Sequence, residues 1–265
     1  DETFVSNVYR SKSKKYIIIG SYSTVSTEYR IVSADSPNEK FKVFEPRQRN
    51  HEYSIEHKEN EFYIVTNINN AKNFKLMKCS LDYTYSNCWE EVISNRKDIL
   101  LEDIEVFDKF IVLNERKEGL TQFRVLNHEN NSEHLIDMDE ESYTAYISTN
   151  VEFGTNIFRF GFSSLKTPTT IYDYNLDSKV KELKKQTKVI GGHNPSEYIT
   201  KRIFATGKDK TLIPMSLVYK NNIRLNSENP TLLYGYGSYG HVVDPSFSPA
   251  RLSLLERGFV FAIAH

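Results

Sequence analysis

The segment Gly235-Tyr-Gly-Ser-Tyr-Gly240 has the spacing in this chain most suggestive of chemistry. It follows the apolar run 231–234 and formally matches G-x-G-x-x-G, in which glycines let a pyrophosphate approach a helix N-terminus. That chemistry needs the helix to begin inside the motif. Here His241-Val-Val-Asp-Pro-Ser-Phe-Ser-Pro249 intervenes, and Pro245 and Pro249 block an immediate helix. The next apolar run ends at His265 with no acidic residue to hold a ribose, so nucleotide binding is disfavoured. Ser238 suggests a nucleophile elbow, G-x-S-x-G, but Tyr236 stands at the first glycine position, where a side chain crowds the strained turn. Ser238 therefore reads as a loop residue.

Other candidates have plainer readings. His51-Glu52 and Glu56-His57 are metal-ligand types, but alternation around Tyr53 and Ile55 sends His51 and Glu52 to opposite faces, which reads as a solvated strand face. Cys79 and Cys88 are too few for a disulfide framework and read as free thiols of a reducing, cytoplasmic compartment. Glu102-Asp103-Ile-Glu105 reads as an exposed edge whose charge discourages strand pairing.

The elements that must position these residues repeat. Tyr16-Ile-Ile-Ile-Gly, Phe62-Tyr-Ile-Val-Thr, Phe110-Ile-Val-Leu-Asn and Ile157-Phe-Arg-Phe-Gly recur at steps of 46, 48 and 47 residues, each followed by a second β-type run. Within the third unit, four short β-branched or aromatic runs at 103–107, 110–113, 123–126 and 134–138 are separated by turn residues. A four-stranded unit with this period is the size of a propeller blade. Residues 1–190 are expected to form about four blades, with a β-sandwich of coincidental spacing as the alternative that equal steps argue against. From residue 191 the pattern changes. Runs at 231–234 and 258–264 are short and almost wholly apolar, as in strands covered on both faces, and 249–258 carries Leu252 and Leu255 on one helical face before Gly258. Residues 191–265 are expected to open an α/β domain.

With 34 basic against 35 acidic residues and a formal net charge of −1, nothing favours nucleic acid or an anionic membrane as partner. At 39% hydrophobic and 13% aromatic the chain can bury a sizeable core, and no apolar run approaches the roughly 18 residues of a membrane span. A chain opening on Asp1 and closing on an apolar run at His265 is expected to be a piece of a longer one.

Leu232-Leu-Tyr-Gly-Tyr-Gly-Ser-Tyr-Gly240, then Asp244-x-x-Phe-Ser248, then Arg251-Leu-Ser-Leu-Leu-x-Arg-Gly-Phe-Val-x-Ala-Ile-Ala-His265, closely resembles the start of the peptidase segment in the prolyl oligopeptidase family of serine peptidases. Gly-Ser-Tyr-Gly, with Leu100-Leu-Glu-Asp-Ile-Glu-Val-Phe107 and Asn114-Glu-Arg-Lys-Glu-Gly-Leu120, is most similar to the oligopeptidase B branch. The resemblance implies a mainly β chain: about four blades of a seven-bladed β-propeller, then the truncated start of an α/β-hydrolase domain. It implies a Ser-Asp-His triad beyond residue 265, no cofactor, and short peptide substrates cut after Lys or Arg. A prolyl-specific enzyme of the same family and a non-catalytic propeller binding module are the alternatives. By the same resemblance Tyr236 donates to the oxyanion, Tyr239 forms an aromatic wall of the substrate pocket, and Asp244 faces basic substrates. The family's second acidic position is Ser246 here, and His265 does not match the catalytic histidine.

Overall fold

Runs such as Tyr16-Ile-Ile-Ile and Phe62-Tyr-Ile-Val combine β-branched and aromatic side chains, which pack well on a pleated surface and lose little rotamer freedom there. In the computed structural model, which describes residues 3–265, these runs become strands of five four-stranded sheets. The first is β1 (Val5–Arg10), β2 (Tyr16–Ser23), β3 (Ser26–Ser33) and β4 (Lys42–Val43), neighbours in that order and antiparallel. The second repeats the plan with β5 (Tyr53–Lys58), β6 (Glu61–Thr66), β7 (Lys75–Ser80) and β8 (Glu90–Ile93). The third orders β9 (Ile99–Val106), β10 (Phe110–Lys117), β11 (Leu120–Asn127) and β12 (Glu133–Leu135) side by side. The fourth is β13 (Tyr143–Ile147), β14 (Ile157–Ser164), β15 (Thr170–Asn175) and β16 (Lys181–Gln186), again antiparallel. The fourth strands are short or charged: β4 has two residues and β16 reads Lys-Glu-Leu-Lys-Lys-Gln, exposed almost throughout. Both devices blunt an edge against further pairing.

Residue 191 onward departs from the meander plan. β17 (Tyr198–Thr206) and β18 (Leu212–Lys220) form a long antiparallel hairpin, closed by Gly207 N–H donating to the Thr211 carbonyl. β19 (Thr231–Gly235) and β20 (Val260–Ala264) are parallel, and α1 (Pro249–Leu255) lies between them in sequence. The spatial order β17-β18-β20-β19 makes one mixed sheet. Parallel neighbours require such a crossover connection. Pro249 sits in the first turn of α1, where its missing N–H costs nothing, and Gly258 at φ 82° follows its C-terminus. The described residues thus hold one parallel strand pair and one short helix, not a complete α/β-hydrolase domain.

The described residues cluster into two compact units, one of residues 3–115, 123–134 and 150–156, the other of residues 116–122, 135–149 and 157–265. In the first, β6 shows how the period-2 rule builds a layered core. Phe62 and Ile64 join Ile18, Ile31 and Phe44 in one cluster, while the alternate residues Tyr63 and Val65 join Leu101, Ile111 and Leu113 in another. A strand with apolar residues on both faces is thereby buried from residue 62 to 66. In the second unit, Leu165, Tyr198, Val218, Leu255, Phe261 and Ile263 form one buried cluster, so the fourth meander contributes to packing the mixed sheet. Leu252 and Leu255, three apart on α1, both face it.

His51 and His57, expected on a solvated strand face, are instead buried, at 5% and 3% exposure. His51 pairs through Nε2 with Thr66 Oγ1 at 3.0 Å, and His57 through Nδ1 with Ser13 Oγ at 2.7 Å. Cys79 is buried in β7 and Cys88 exposed; both are free. No helix is long and apolar enough to cross a membrane among the described residues.

Candidate active site

The loop after β19 leaves the carboxyl end of a parallel strand, the place where open sheets containing parallel strands present ligand-binding residues. Tyr236 is the first residue past Gly235 and is half-exposed, its ring edge-on to His241 with centroids 5.7 Å apart. A single turn over Ser238–Gly240 follows, with Tyr239 at φ 59° and Gly240 at φ 70°. Left-handed backbone at a bulky aromatic residue is strained. It projects Tyr239 almost wholly into solvent, at 98% exposure. Tyr236 and Tyr239 thus share one exposed loop, and neither belongs to the apolar core of the unit.

Asp244 lies four residues beyond the glycine loop and is anchored. Its Oδ1 accepts from Arg116 Nη1 at 2.8 Å, its carbonyl accepts from Ser246 N–H at 2.8 Å, and its side chain remains 38% exposed. Arg116 also donates from Nη1 to the Gly119 carbonyl at 3.0 Å and is itself 13% exposed. The turn between β10 and β11 that carries Gly119 has Glu118 at φ 49° and Gly119 at φ 81°, the two positive values a primed hairpin turn requires. A Cβ on Gly119 would come within 2.6 Å of the His265 Cβ, so the turn packs directly against the end of β20. Arg202 donates to the Glu118 carbonyl and ties the same turn to β17.

His265 forms the one Ser–His pair of this neighbourhood. Its Nδ1 is 3.1 Å from the Val243 carbonyl and its Nε2 is 2.6 Å from Ser216 Oγ. The carbonyl can only accept, so Nδ1 carries the proton and Nε2 accepts from the serine hydroxyl. Burial, reinforced by Arg202 and Arg116, pushes the His265 pKa down, which keeps the ring neutral. The pair has the chemistry of a nucleophile and its base, but Ser216 is 0% exposed and unreachable by substrate. It is a structural clamp joining β18, β20 and residue 243.

Sequence reasoning singled out Tyr236, Tyr239 and Asp244; the structure joins Asp244 to Arg116 and puts both tyrosines on the exposed loop. It missed Arg116, Ser216 and His265, whose partners lie 128, 49 and 22 residues away along the chain. Among the described residues no group of three or more His, Cys, Asp or Glu could hold a metal ion.

Repeated four-stranded meanders followed by a mixed sheet, with an exposed Tyr-Gly-Ser-Tyr-Gly loop at a parallel strand end, define a propeller-type chain. Residues 1–187 match the family model described as prolyl oligopeptidase, N-terminal beta-propeller domain. The chain belongs to the prolyl oligopeptidase family. It is 38% identical over 267 residues to dipeptidyl aminopeptidase BI of Pseudoxanthomonas mexicana, covering 100% of this chain and 36% of that protein. It is 33% identical over 264 residues to Protease 2 of Moraxella lacunata, covering 100% of this chain and 38% of that one. Among solved structures, oligopeptidase B from Leishmania major superposes with a TM-score of 0.90 at 28% identity, covering 100% of this chain and 38% of that one. Oligopeptidase B from Trypanosoma brucei with covalently bound antipain gives 0.90 at 30% identity, covering 100% and 39%. The chain therefore spans less than two-fifths of the length of these relatives.

Proposed function

We propose that this chain is part of a serine oligopeptidase that hydrolyses short peptides after Lys or Arg. In this reading residues 1–190 are about four blades of a seven-bladed propeller, residues 191–265 open an α/β-hydrolase domain, and the enzyme is cytoplasmic and uses no cofactor. The Ser, Asp and His of the triad lie outside these 265 residues. The serine hydroxyl attacks the scissile carbonyl carbon as the histidine takes its proton, and the carbonyl oxygen becomes an oxyanion. The Tyr236 phenol donates to that oxyanion beside a backbone N–H, Tyr239 offers an aromatic face to the substrate, and Asp244 pairs with a basic side chain of the peptide.

The observation that carries this reading is the position of Tyr236. A neutral O–H donor, half-exposed, stands one residue past the carboxyl end of a strand that is parallel to its neighbour, with glycine on both sides. Such a donor needs little reorganisation as charge develops. The names of the relatives, an aminopeptidase, a protease and oligopeptidase B, support a peptidase reading.

The test is Tyr236→Phe in the full-length enzyme, assayed on reporter peptides ending in Arg, Lys or Pro. Turnover should fall on the order of 10²–10³-fold with unchanged circular dichroism. Undiminished turnover would remove Tyr236 from the oxyanion role. Cleavage after Pro alone would overturn the Lys/Arg specificity, and no cleavage of any reporter would favour a propeller used only for binding.

A further inference from the structure

A cavity of about 430 Å³ opens in the first unit. It is lined by the end of β1 and the turn after it, by β5 and β9, and by residues 150–151. β1, β5 and β9 are each the first strand of a meander, so three successive repeats contribute to one wall. Three carboxylates meet there: Glu56 from β5, and Asp103 and Glu105 from β9.

Their surroundings are uneven. Glu105 is satisfied, since Lys12 Nζ lies 2.5 Å from its Oε1 and 3.5 Å from the centre of the Phe107 ring. Asp103 is exposed at the mouth and accepts from the Ile104 N–H. Arg10 and Lys14 are exposed at the rim, and the Arg10 guanidinium is engaged by the Lys14 carbonyl. Glu56 differs from all of these: its Oε2 is sealed from solvent and has no hydrogen-bond partner. A buried carboxylate oxygen without a partner is costly, and folded proteins rarely leave one. Two further carboxylates beside it add repulsion, against which Lys12 is already spent on Glu105. An arrangement of this kind is completed by a donor that arrives with positive charge.

We propose that this cavity is a binding site for an organic cation, a guanidinium or primary ammonium group, held by Glu56 at its depth and Asp103 at its mouth. The residues do not gather tightly enough for a metal ion: no cluster of three or more ligand-type side chains could hold one among the described residues. A guanidinium instead spreads five donors over several ångströms and matches separated carboxylate oxygens. Burial, then Glu105 and Asp103, pushes the Glu56 carboxyl up to about 8, with Lys12 opposing. Facing the same group are Tyr9 from β1 and Tyr29 from β3, both raised by burial, with Glu56 and Asp103 adding to each. At neutral pH Glu56 is therefore largely protonated, and an arriving cation ionises it and releases a proton to solvent.

The experiment titrates full-length enzyme with L-argininamide by calorimetry at pH 7 in two buffers of different ionisation enthalpy. A parallel arm uses acetyl-Gly-Arg-Gly-amide, which separates a free amine or amidine from a peptide side chain as the source of the charge. Wild type should show a saturable component that releases close to one proton per site. Glu56→Gln, which keeps shape and removes the titration, should weaken it about tenfold or more and abolish the proton release. The same variant should retain hydrolysis of Arg reporters, which separates this site from the peptidase site. Asp103→Asn should weaken binding and, by removing one of the charges that hold the Glu56 carboxyl up, reduce the proton release without abolishing it; it carries the test alone should the Glu56 variant not fold. Binding and proton release unchanged in Glu56→Gln, binding unchanged in Asp103→Asn, or no saturable component in wild type would overturn the proposal.

Discussion

Replacing Gly119 by alanine probes the contact on which the Asp244 neighbourhood is built. Two costs can be worked out separately. Gly119 holds φ 81°, and an L-residue with a Cβ in the left-handed region loses about 1–2 kcal/mol relative to glycine. The added Cβ would also lie 2.6 Å from the His265 Cβ and 2.9 Å from its Cγ, so either the turn or the end of β20 must shift. Overpacking of this kind costs about 1–3 kcal/mol. The expected loss is therefore about 2–5 kcal/mol, or roughly 2–4 °C in Tm for each kcal/mol in a domain of this size. Urea unfolding followed by near-ultraviolet circular dichroism reads the loss, and Gly119→Asn, which tolerates left-handed backbone but keeps the Cβ, should recover only the first part. In a double-mutant cycle with His265→Gly the clash vanishes, leaving a coupling of about 1–3 kcal/mol. An alanine variant within about 0.5 kcal/mol of wild type, or a cycle with no coupling, would refute the seating of this turn on β20.

Further expectations rest on buried charge. Glu115, with 0% side-chain exposure, accepts from Arg96 at 2.5 Å and from Arg124 at 2.8 and 3.0 Å; Glu115→Gln takes this carboxylate charge from both guanidiniums, leaves Arg124 its exposed partner Glu133, and should cost about 3 kcal/mol in urea unfolding. A loss under about 1 kcal/mol would mean that solvent neutralises them. The His265 pKa is held below its ordinary value, so the folded protein binds fewer protons than the unfolded chain; its contribution is complete above about pH 6.5 and is lost as pH falls toward the folded value. The stability gap between wild type and His265→Gln should accordingly narrow from pH 7 to 5, and a constant gap contradicts this. Glu56 has the opposite sign: raised to about 8, it favours folding below about pH 4.5 and loses that contribution as pH climbs to 8. Glu56→Gln should therefore gain on wild type across that window, and urea midpoints that stay parallel would exclude a buried protonated carboxyl.

The meanders were legible because each needs four short strands and three turns, which fixes the step between equivalent residues near 47 and leaves the period visible in Tyr16, Phe62, Phe110 and Ile157. The helix 249–255 was legible from local signals alone, Pro249 at its start and Gly258 after its end. Local alternation failed at His51 and His57. It separates the faces of a strand but does not say which face is wet, and both rings found hydroxyl partners 15 and 44 residues away. Glu105 was misread in the same way, since the edge of a sheet order can still line a concavity and Lys12 comes from 93 residues upstream. The site shows the same division. Tyr236 and Tyr239 are set by a local run of glycines, whereas Arg116 reaches Asp244 across 128 residues that no sequence pattern connects.

That last contact bears on how Asp244 meets a basic peptide under the proposed function. Arg116 occupies Oδ1 alone, and an ionised carboxylate offers about four lone-pair sites over its two oxygens. With 38% of the side chain exposed, Oδ2 remains free to accept from an arriving guanidinium or ammonium. Arg116 therefore holds the carboxylate in one orientation without filling it, which lowers the entropy a substrate must remove on binding. It also subtracts charge: a positive group sits 2.8 Å from the carboxylate before the substrate arrives, so the net attraction for a cation is weaker than that of a bare aspartate. Ser246, where the family resemblance expects a second acid, adds nothing to offset this. The two features act in the same direction, toward recognition of a single basic side chain by geometry more than by accumulated charge.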